Sequence, residues 1–499
     1  MHLYDELYNG LKKFGYIPNL IEDSFYNKTS NIGLIYKSIV LSILLKKKLN
    51  SEEVVAIMLP NAVATVIIFF ALQYLNKTVS IINFTSGIKN IKSSLSISKV
   101  KKIITSRTFI EQAEMQDIIL SFDDNIEVIY IEDVKKDLSI KEKLKALVKF
   151  FFKEKIIRNI NSVAVILYTS GTENSPKGVM LSHKNLFENR KQVLQHLNIN
   201  KGEKFFTCLP FFHSFGLGVG ILLPILNNLK LFLYPTPLHY KTIPTLLELE
   251  SATVFFSTDT FLKKYASSLN SNSFQNLKFL IAGAEKLDPS TYDYYLKNFN
   301  IKILEGYGVT EASPAVSVNT YENFKLGSVG KLLPGIEYKI EKIEGYEEGG
   351  LLFLKGKNIM LGYQLDDSQK LSGVIDGWYN TGDVAKIDDE GYLFILGRLK
   401  RFAKIAGEMI SLAQVEDIPK KKWPDNSSAV CAIKDSAKGE ALILITDNKM
   451  AKLETIIETM KNSGFSSLYY PKKIKIIHEF PILGSGKINF KKLQEIAES

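Results

Sequence analysis

The stretch that most restricts how this chain folds is residues 163–182, a strand pattern interrupted by a polar loop. An apolar run at residues 163–167 has the length and β-branched bias of a buried strand. No aliphatic or aromatic side chain lies between Thr169 and Gly178, and a second apolar piece then leads into Ser182 and a helical pattern. This arrangement predicts a strand, a functional loop and a helix in close succession.

The composition of the loop favours phosphate binding. It contains hydroxyl side chains, Gly171 and Lys177, so backbone N–H groups and hydroxyls can donate to phosphate oxygens while the lysine supplies a positive charge. The alternative is an ordinary polar turn, which is the commoner interpretation of such a composition by itself. The loop is not a Walker motif, because Gly171 and Lys177 lack the G-x-x-x-x-G-K-[ST] spacing.

Length and composition describe a globular chain with several domains. A chain of 499 residues is too long for one core, so we expect two or three domains. The hydrophobic content of 45% is typical of globular proteins, and the longest apolar stretch, residues 62–75, is too short to span a bilayer. The start of the sequence has no signal-peptide pattern, and Cys208 and Cys431 lie far apart. These features predict a reducing cytoplasmic location and no catalytic thiol.

The charge is positive and concentrated near the end of the chain. The net charge is +10, and residues 398–499 hold 18 Lys and Arg against 12 Asp and Glu, a net charge of +6. Such an excess predicts an acidic partner or an anionic surface. The sequence has no zinc-finger spacing or aromatic RNA-binding pattern, so nucleic acid is not the expected partner.

Strand and helix patterns alternate along most of the chain. Predicted strands at residues 54–59 and 79–82 flank a helix at 62–74, and the alternation resumes at residue 204. This rhythm predicts a parallel sheet with helices on both faces. After Gly306 short strands punctuated by glycine and proline predict a β-rich subdomain.

Residues 139–158 interrupt the alternation with a basic amphipathic segment. Lysines surround an apolar face that contains Leu144, Leu147, Val148, Phe151 and Phe152. A helix of this kind can lie in a bilayer interface. The alternative is a surface helix that packs on its own domain.

Several further segments place small, aromatic and charged residues at predicted strand ends or turns. They are residues 210–216 (PFFHSFG), 281–286 (IAGAEK), 304–311 (LEGYGVTE), 378–383 (WYNTGD), 397–402 (GRLKRF), 402–411 (FAKIAGEMIS) and 481–487 (PILGSGK). Each has an ordinary structural alternative, such as a core histidine or a solvated lysine. The glycines at 216–220 suit either an apolar tunnel or tight helix packing, and Ser411 with Gln414 has capping-box spacing.

In combination and in this order, the segments resemble the motifs of the adenylate-forming superfamily, which includes acyl-CoA synthetases, luciferases and nonribosomal adenylation domains. The resemblance covers essentially the whole chain, with Asn174 in place of the usual glycine. Residues 401–409, 439–441 and 234–240 look like the acyl-[acyl-carrier-protein] synthetase part of the bacterial bifunctional acyltransferase/acyl-ACP synthetase. The absence of Asp between Lys204 and Lys241 argues against an amino-acid substrate.

The resemblance implies an α/β fold with a large adenylation domain at residues 1–397 and a small mobile α+β domain at 398–499. It implies catalytic roles for His213, Thr310, Glu311 and Lys487, and Mg²⁺ ligation by Glu311 and Thr172. It implies a hinge at Lys400 and a pantetheine tunnel at Gly407. It implies ATP binding by Thr169, Ser170, Gly171, Thr172, Lys177, Gly283, Ala284, Glu285, Gly306, Tyr307, Gly308, Asp383 and Arg398.

The implied function is ATP-dependent activation of a fatty acid as an acyl-adenylate, followed by transfer to the phosphopantetheine thiol of acyl carrier protein. The alternative acceptor is coenzyme A, because both acceptors are anionic and charge alone does not separate them. An interpretation of a different class is a non-catalytic protein that binds a nucleotide or a fatty acid.

Overall fold

The computed structural model describes residues 2–152, 159–169, 176–270, 272–365, 368–435, 438–481 and 488–499, with only the backbone at 365 and 368–372. Its α-helices are α1 (Leu3–Phe14), α2 (Asn31–Leu49), α3 (Val63–Tyr74), α4 (Ile88–Ile97), α5 (Arg107–Gln112), α6 (Gln116–Leu120), α7 (Ile131–Lys136), α8 (Ile140–Phe152), α9 (His183–Leu197), α10 (Leu223–Leu226), α11 (Thr242–Leu249), α12 (Asp259–Ala266), α13 (Pro289–Phe299), α14 (Leu412–Lys422), α15 (Leu453–Asn462) and α16 (Phe490–Glu498).

Its strands are β1 (Ile21–Asp23), β2 (Lys28–Thr29), β3 (Val54–Ile57), β4 (Thr78–Ile81), β5 (Lys102–Thr105), β6 (Glu127–Tyr130), β7 (Val163–Thr169), β8 (Lys177–Ser182), β9 (Lys204–Thr207), β10 (Lys230–Leu233), β11 (Val254–Ser257), β12 (Phe279–Ala282), β13 (Ile303–Gly308), β14 (Ala315–Val318), β15 (Lys331–Leu332), β16 (Glu337–Ile343), β17 (Tyr346–Lys355), β18 (Gly362–Leu365), β19 (Ser368–Ser372), β20 (Val374–Ile375), β21 (Trp378–Ile387), β22 (Leu393–Arg398), β23 (Phe402–Ile405), β24 (Glu408–Ser411), β25 (Ser428–Asp435), β26 (Gly439–Thr446) and β27 (Lys473–Ile476).

The described chain divides into two compact units, residues 1–336 with 355–379 and residues 337–354 with 380–499. The boundary that the sequence predicts at residue 397 falls within the second unit. The division into domains at 1–397 and 398–499, with a hinge near Lys400, stays a prediction.

Two largely parallel sheets form the first unit. Within the described residues, nine strands form one sheet in the order β15-β14-β13-β12-β11-β9-β10-β1-β2, and β13 to β1 run parallel in it. Eight described strands form the other in the order β19-β18-β8-β7-β4-β3-β5-β6, with β7 to β6 parallel. The predicted α/β class with parallel sheets is confirmed.

The apolar pattern explains these elements. Successive residues of β3 and β11 are buried, as expected for parallel strands that are covered on both faces. Helix α3 crosses from β3 to β4 and buries Phe69 and Phe70, each of which contributes about 2–3 kcal/mol on full burial. Helix α13 begins with an N-cap, since Asp288 accepts a hydrogen bond from the N–H of Ser290, and Pro289 opens the helix.

The second unit is β-rich. Strands β16, β17, β21 and β22 belong to one sheet, and β24, β23, β26 and β25, with β27 beside β26, form another. Alternate side chains of β25 face opposite sides, so Val430 lies in a core cluster with α14 and α15 while Cys431 lies in one with α16. The end of the chain therefore has the expected α+β composition.

Two local predictions are resolved by packing. The capping box predicted at Ser411 is wrong. Ser411 is the N-cap of α14, but its side chain makes no capping hydrogen bond. The side chain of Gln414 donates to Glu348 at 2.9 Å and not back to the N-cap. The glycines at 216–220 serve close packing in a π-helix, Gly216–Leu222. A Cβ atom on Gly216 would lie 2.2 Å from the carbonyl oxygen of Pro210.

Candidate active site

The ends of β7 and β8 hold the polar loop at its base. Thr169 and Lys177 are register partners in this antiparallel pair. Just before the loop, the hydroxyl of half-buried Tyr168 hydrogen-bonds to Ser98 at 2.6 Å, and desolvation of this hydroxyl raises the pKa of Tyr168 to about 12. Backbone pairing therefore fixes the position of the Lys177 backbone. Ser170, Gly171, Thr172 and Asn174 lie outside the described residues.

Lys177 lies over an aromatic ring supplied by a neighbouring strand. Its Nζ is 5.1 Å from the ring centroid of Tyr363, within cation–π range. Tyr363 reaches this position because β18 pairs with β8, with Tyr363 opposite Val179. The pairing between these strands therefore orients the predicted phosphate-binding lysine.

The same tyrosine holds the predicted metal ligand. The Tyr363 hydroxyl donates to Oε1 of Glu311 at 2.5 Å, and Glu311 is only 7% exposed. The backbone around Glu311 is also fixed, since the N–H of Met360 donates to its carbonyl oxygen at 2.8 Å and Asn358 donates to the carbonyl oxygen of Ala312 at 2.9 Å. The Tyr363 side chain thus joins Lys177, from one sheet, to Glu311, after the last parallel strand of the other.

A second hydrogen bond connects the predicted catalytic turn to the histidine segment. The hydroxyls of Thr310 and Ser214 lie 3.0 Å apart. His213 follows β9 in the same segment, and its Nδ1 accepts a hydrogen bond from the N–H of Phe215 at 3.3 Å. That bond assigns the proton of a neutral imidazole to Nε2. His213 and Thr310 therefore belong to adjoining turns at the carboxyl ends of β9 and β13.

Aromatic side chains surround the histidine. The Phe211 ring contacts Phe69 with centroids 5.7 Å apart, and the Phe212 ring contacts Phe84 at 5.1 Å. Both contacts are edge-to-face, the arrangement that aromatic pairs prefer. The two residues that precede His213 are therefore buried and anchored against aromatic rings.

The predicted ATP-binding residues Gly283, Ala284 and Glu285 follow β12. A Cβ atom on Gly283 would lie 3.2 Å from the Phe215 ring, and Ala284 has a left-handed backbone with φ of 67°. Left-handed geometry at a non-glycine residue is uncommon and requires support from its surroundings. The neighbouring Glu285 supplies part of this support, because its carboxylate accepts hydrogen bonds from the N–H and the hydroxyl of Thr260 at 3.0 and 2.7 Å.

The Gly-Tyr-Gly segment forms the end of β13. Gly306 and Gly308 allow β14 to approach closely, since a Cβ atom on Gly308 would lie 2.5 Å from the carbonyl oxygen of Pro314. Between them, Tyr307 is half-buried opposite Ser317. Just before the segment, burial raises the pKa of Glu305 to about 7 while its carboxyl accepts from the N–H of Leu287 at 2.9 Å.

The remaining predicted residues lie in the second unit. Asp383 is buried, and its Oδ1 is 2.7 Å from Nε of Arg398, which also donates to the carbonyl oxygen of Thr381 at 2.9 Å. The two residues are register partners in β21 and β22. Asp383 and Arg398, both among the residues predicted to bind ATP, thus form an ion pair.

The hinge and tunnel residues have turn geometry. Lys400 lies in a 3-10 turn, Leu399–Arg401, and Gly407 lies in the hairpin turn between β23 and β24 with φ of 91°. Arg401, next to Lys400, is held by Glu416 at 2.5 Å. Among the described residues, no atom beyond Gly407 and its two chain neighbours lies within 4 Å of where a Gly407 Cβ would be. Lys487 lies outside the described residues, so its predicted role stays a prediction.

Comparison with known proteins identifies the family. The sequence profile described as "AMP-binding enzyme" matches residues 41–364. This chain belongs to that family. The adenylate-forming resemblance and the prediction of an enzyme are therefore confirmed.

Several relatives of this AMP-binding enzyme have been curated. The chain is 30% identical over 371 residues to luciferin 4-monooxygenase of Photuris pensylvanica, covering 70% of this chain and 66% of the relative. It is 24% identical over 478 residues to 2-succinylbenzoate–CoA ligase of Listeria innocua, covering 94% and 95%. It is 29% identical over 350 residues to long-chain-fatty-acid–CoA ligase of Salmonella typhimurium, covering 67% and 62%.

Solved structures share the fold along the whole length. ATP-bound MatB from Rhodopseudomonas palustris has a TM-score of 0.85 at 22% identity and covers 100% of this chain and 99% of that one. O-succinylbenzoate coenzyme A synthetase from Bacillus subtilis, in complex with ATP and magnesium ion, has a TM-score of 0.82 at 20% identity and covers 98% and 99%. At these identities the likeness establishes the fold.

The donor set of this AMP-binding enzyme fits Mg²⁺ and a triphosphate. Mg²⁺ is usually held by one or two carboxylates together with phosphate oxygens and water. Glu311 offers one carboxylate, follows Thr310 in the chain and is connected through Tyr363 to the ammonium of Lys177. Within the described residues no cluster of three or more His, Cys, Asp or Glu side chains offers a site made by protein ligands alone.

Sequence reasoning missed Tyr363 and Ser214. Tyr363 follows Gly362 in a short strand, and nothing in its local pattern distinguishes it from an ordinary strand aromatic. Ser214 lies within the recognised histidine segment, so a small hydroxyl next to His213 was a signal that could have been used. Both act through contacts with residues distant in sequence.

Proposed function

We propose that this protein activates a fatty acid with ATP as an acyl-adenylate and then transfers the acyl group to a phosphopantetheine thiol. The observation that carries the proposal is the connected set around Tyr363. Its hydroxyl binds Glu311 and its ring lies under Lys177. This set lies at strand ends of an AMP-binding enzyme, where open α/β sheets bind their ligands.

The first step joins two anions. A carboxylate oxygen of the acid attacks the α-phosphorus of ATP, the bond to the pyrophosphate oxygen breaks, and the acyl-adenylate forms. Mg²⁺, which Glu311 and Thr172 would hold, lowers the repulsion between the carboxylate and the phosphates. Lys177 adds a positive charge, and Thr310 donates a hydrogen bond to the α-phosphate or the carboxylate.

The second step transfers the acyl group from AMP to a thiol. A thiol sulfur, after losing its proton, attacks the acyl carbonyl carbon, and AMP leaves. Asp383 would accept hydrogen bonds from the ribose hydroxyls, and the open turn at Gly407 would let a pantetheine arm approach the backbone. A rotation about Lys400 between the steps would withdraw Lys487 and admit the thiol.

A fatty acid is the proposed substrate because the segment around His213 is rich in apolar residues and contains no aspartate that would bind an ammonium group. The long-chain-fatty-acid–CoA ligase among the relatives supports this choice. A fatty acid also partitions into bilayers. The proposal therefore includes a cytoplasmic enzyme in peripheral contact with the inner face of a membrane.

Coenzyme A is the acceptor that the relatives' names support best. Acyl carrier protein is the second candidate, favoured by the net charge of +6 over residues 398–499. Three lysines at the end of α14, Lys420, Lys421 and Lys422, offer a docking surface for an acidic protein.

The decisive experiment is a product assay with a panel of fatty acids, ATP and Mg²⁺, offered either coenzyme A or holo-acyl carrier protein. Thioester with coenzyme A alone selects the first acceptor. Thioester with the carrier protein alone, at a salt-sensitive rate that falls on replacing the three lysines by glutamine, selects the second. A protein that binds ATP but exchanges no pyrophosphate into it would be a non-catalytic binder, and the proposal would be wrong.

The role of Lys487 is tested in the same assay. Lys487→Ala should abolish acyl-adenylate formation while leaving thioester formation from supplied acyl-adenylate intact. Lys491→Ala, a change of the same kind nearby, serves as the control and should leave both steps intact. Equal loss of both steps in Lys487→Ala would contradict the assignment.

A further inference from the structure

Helix α8 exposes an unusual number of large apolar side chains. Among the described residues of this 13-residue helix, the large apolar side chains that are at least 40% exposed are Ile140, Leu144, Leu147, Val148, Phe151 and Phe152. The two phenylalanines are 72% and 81% exposed. Since an α-helix advances about 100° per residue, five of these positions, Phe152 excepted, form one continuous stripe, here called the outer stripe.

The opposite side of α8 already attaches the helix to its own unit. Glu142 and Ala146 are buried there, and Lys47 of α2 pairs with Glu142 at 3.0 Å. Tyr36 of α2 donates to the carbonyl oxygen of Lys143 at 3.2 Å. Packing on its own domain was the ordinary alternative for this helix, and that packing uses the inner side. The outer stripe takes no part in this packing.

The charges of α8 flank the outer stripe. Lys141 and Lys145 lie along one edge and Lys143 lies near the other, while Lys149 completes a shallow surface depression with Ile140, Leu144 and Val148. The helix has one acidic residue, Glu142, which is on the inner side. Hydrogen bonds from Ser139 and Lys47 lower the pKa of Glu142 to about 2, so it stays ionised and paired.

We infer that the outer stripe of α8 binds the surface of a membrane that contains anionic phospholipid. Leu144, Val148 and Phe151 would enter the boundary between headgroups and acyl chains, and the flanking lysines would extend towards lipid phosphates. Within the described residues no helix combines the length and hydropathy needed to cross a bilayer. The inference goes beyond the proposed chemistry and does not depend on the identity of the acid.

Charge argues against a second copy of the chain as the occupant. A symmetric contact through the outer stripe would bring the lysines of one helix towards those of the other, and like charges across an interface oppose association. An anionic surface instead complements both edges of the stripe. An acidic protein is the remaining alternative occupant. Binding to vesicles made of lipid alone would show that the stripe binds a membrane surface without such a protein.

The test is co-sedimentation of the 499-residue chain with vesicles of phosphatidylcholine, with or without phosphatidylglycerol. We expect binding to the vesicles with phosphatidylglycerol, and a loss of at least about tenfold in the double variant Phe151→Glu/Phe152→Glu. Lys141→Gln/Lys145→Gln should weaken binding and reduce its dependence on salt. Leu144→Glu, in the middle of the stripe, should act like the phenylalanine variant.

The chain offers a matched control. Leu120 and Leu249 are 81% and 71% exposed on other helices, so Leu120→Glu/Leu249→Glu makes the same chemical change at equal exposure. This variant should bind vesicles as the unmodified chain does, and thermal unfolding verifies that every variant is folded. No vesicle binding by the unmodified chain, equal loss in the control, or concentration-dependent self-association that only Phe151→Glu/Phe152→Glu abolishes would each overturn the inference.

Discussion

Two buried carboxylates, Glu311 in the first unit and Asp383 in the second, are assigned to ligand binding by the same resemblance but have different partners. Glu311 accepts a hydrogen bond from the neutral phenol of Tyr363, and among the described residues it forms no ion pair. Asp383 pairs with the guanidinium of Arg398 at 2.7 Å. Burying a carboxylate without a cation is costly, so Glu311 suits a charged ligand such as a metal, whereas Asp383 suits uncharged hydroxyls.

The largest expected effect is that of Glu311→Gln. Removing the charge that would hold Mg²⁺ should lower ATP–pyrophosphate exchange about 10³-fold and raise the Mg²⁺ concentration needed for half-maximal exchange. Exchange measured over a Mg²⁺ series checks both. Glu322→Gln, at an exposed carboxylate of the same unit, is the control and should leave the curve unchanged. An unaltered Mg²⁺ dependence in Glu311→Gln would remove the contrast with Asp383.

Glu305 extends the comparison to a carboxyl that burial keeps protonated. Burial raises its pKa from 4.5 to about 7, so the stabilisation by the protonated native form is complete below about pH 4.5 and is lost as the pH rises to about 7. The free energy of unfolding should fall by about 3 kcal/mol across this window, and Glu305→Gln should abolish that fall. Urea unfolding across the same pH range measures it, and identical pH profiles for the two proteins would disprove the assignment.

Asp383→Asn should act on nucleotide binding more than on chemistry. Replacing a charged acceptor by an amide should raise the KM for ATP about 30-fold with a smaller change in kcat. Because Arg398 is largely exposed, the lost ion pair should cost no more than about 1 kcal/mol of stability. Discrimination between ATP and 2′-deoxy-ATP should shrink in the variant. A variant that still discriminates would show that the ribose contact lies elsewhere.

The smallest effect expected is that of Tyr363→Phe, which sharpens the account of Glu311. The variant loses the hydroxyl that donates to Glu311 but keeps the ring under Lys177, so kcat should fall about tenfold while the KM for ATP stays the same. Tyr363→Leu, which removes the ring as well, should also raise the KM. Equal kinetics in the two variants would mean that the ring and the hydroxyl do not have separate roles.

Much of the fold was predictable because its signals are local. Residues 62–74 were predicted to be a helix and α3 spans Val63–Tyr74, while the strand predicted at 79–82 is β4, Thr78–Ile81. Apolar period and flanking turn residues encode such elements within a few neighbours. The capping box at Ser411 was wrong for the complementary reason, because Glu348 in another strand attracts Gln414.

The sequence predicted which residue types form the candidate site, but it did not predict the contacts between them. The histidine segment and the Thr310–Glu311 turn were recognised as motifs, yet the bond between Thr310 and Ser214 was not. That bond depends on parallel strands β9 and β13 ending at the same edge of a sheet, and β11 and β12 lie between them. Sheet order is not encoded by any local period.

The sequence by itself determined the family, the order of the motifs and the amphipathic character of α8. Only the tertiary structure decided that Tyr363 joins Lys177 to Glu311, and that α8 attaches through Glu142 and leaves its other side exposed. The physical reason is the range of the interactions. Periodicity and turn chemistry act between neighbours along the chain, whereas these contacts depend on strand register and helix packing between distant segments.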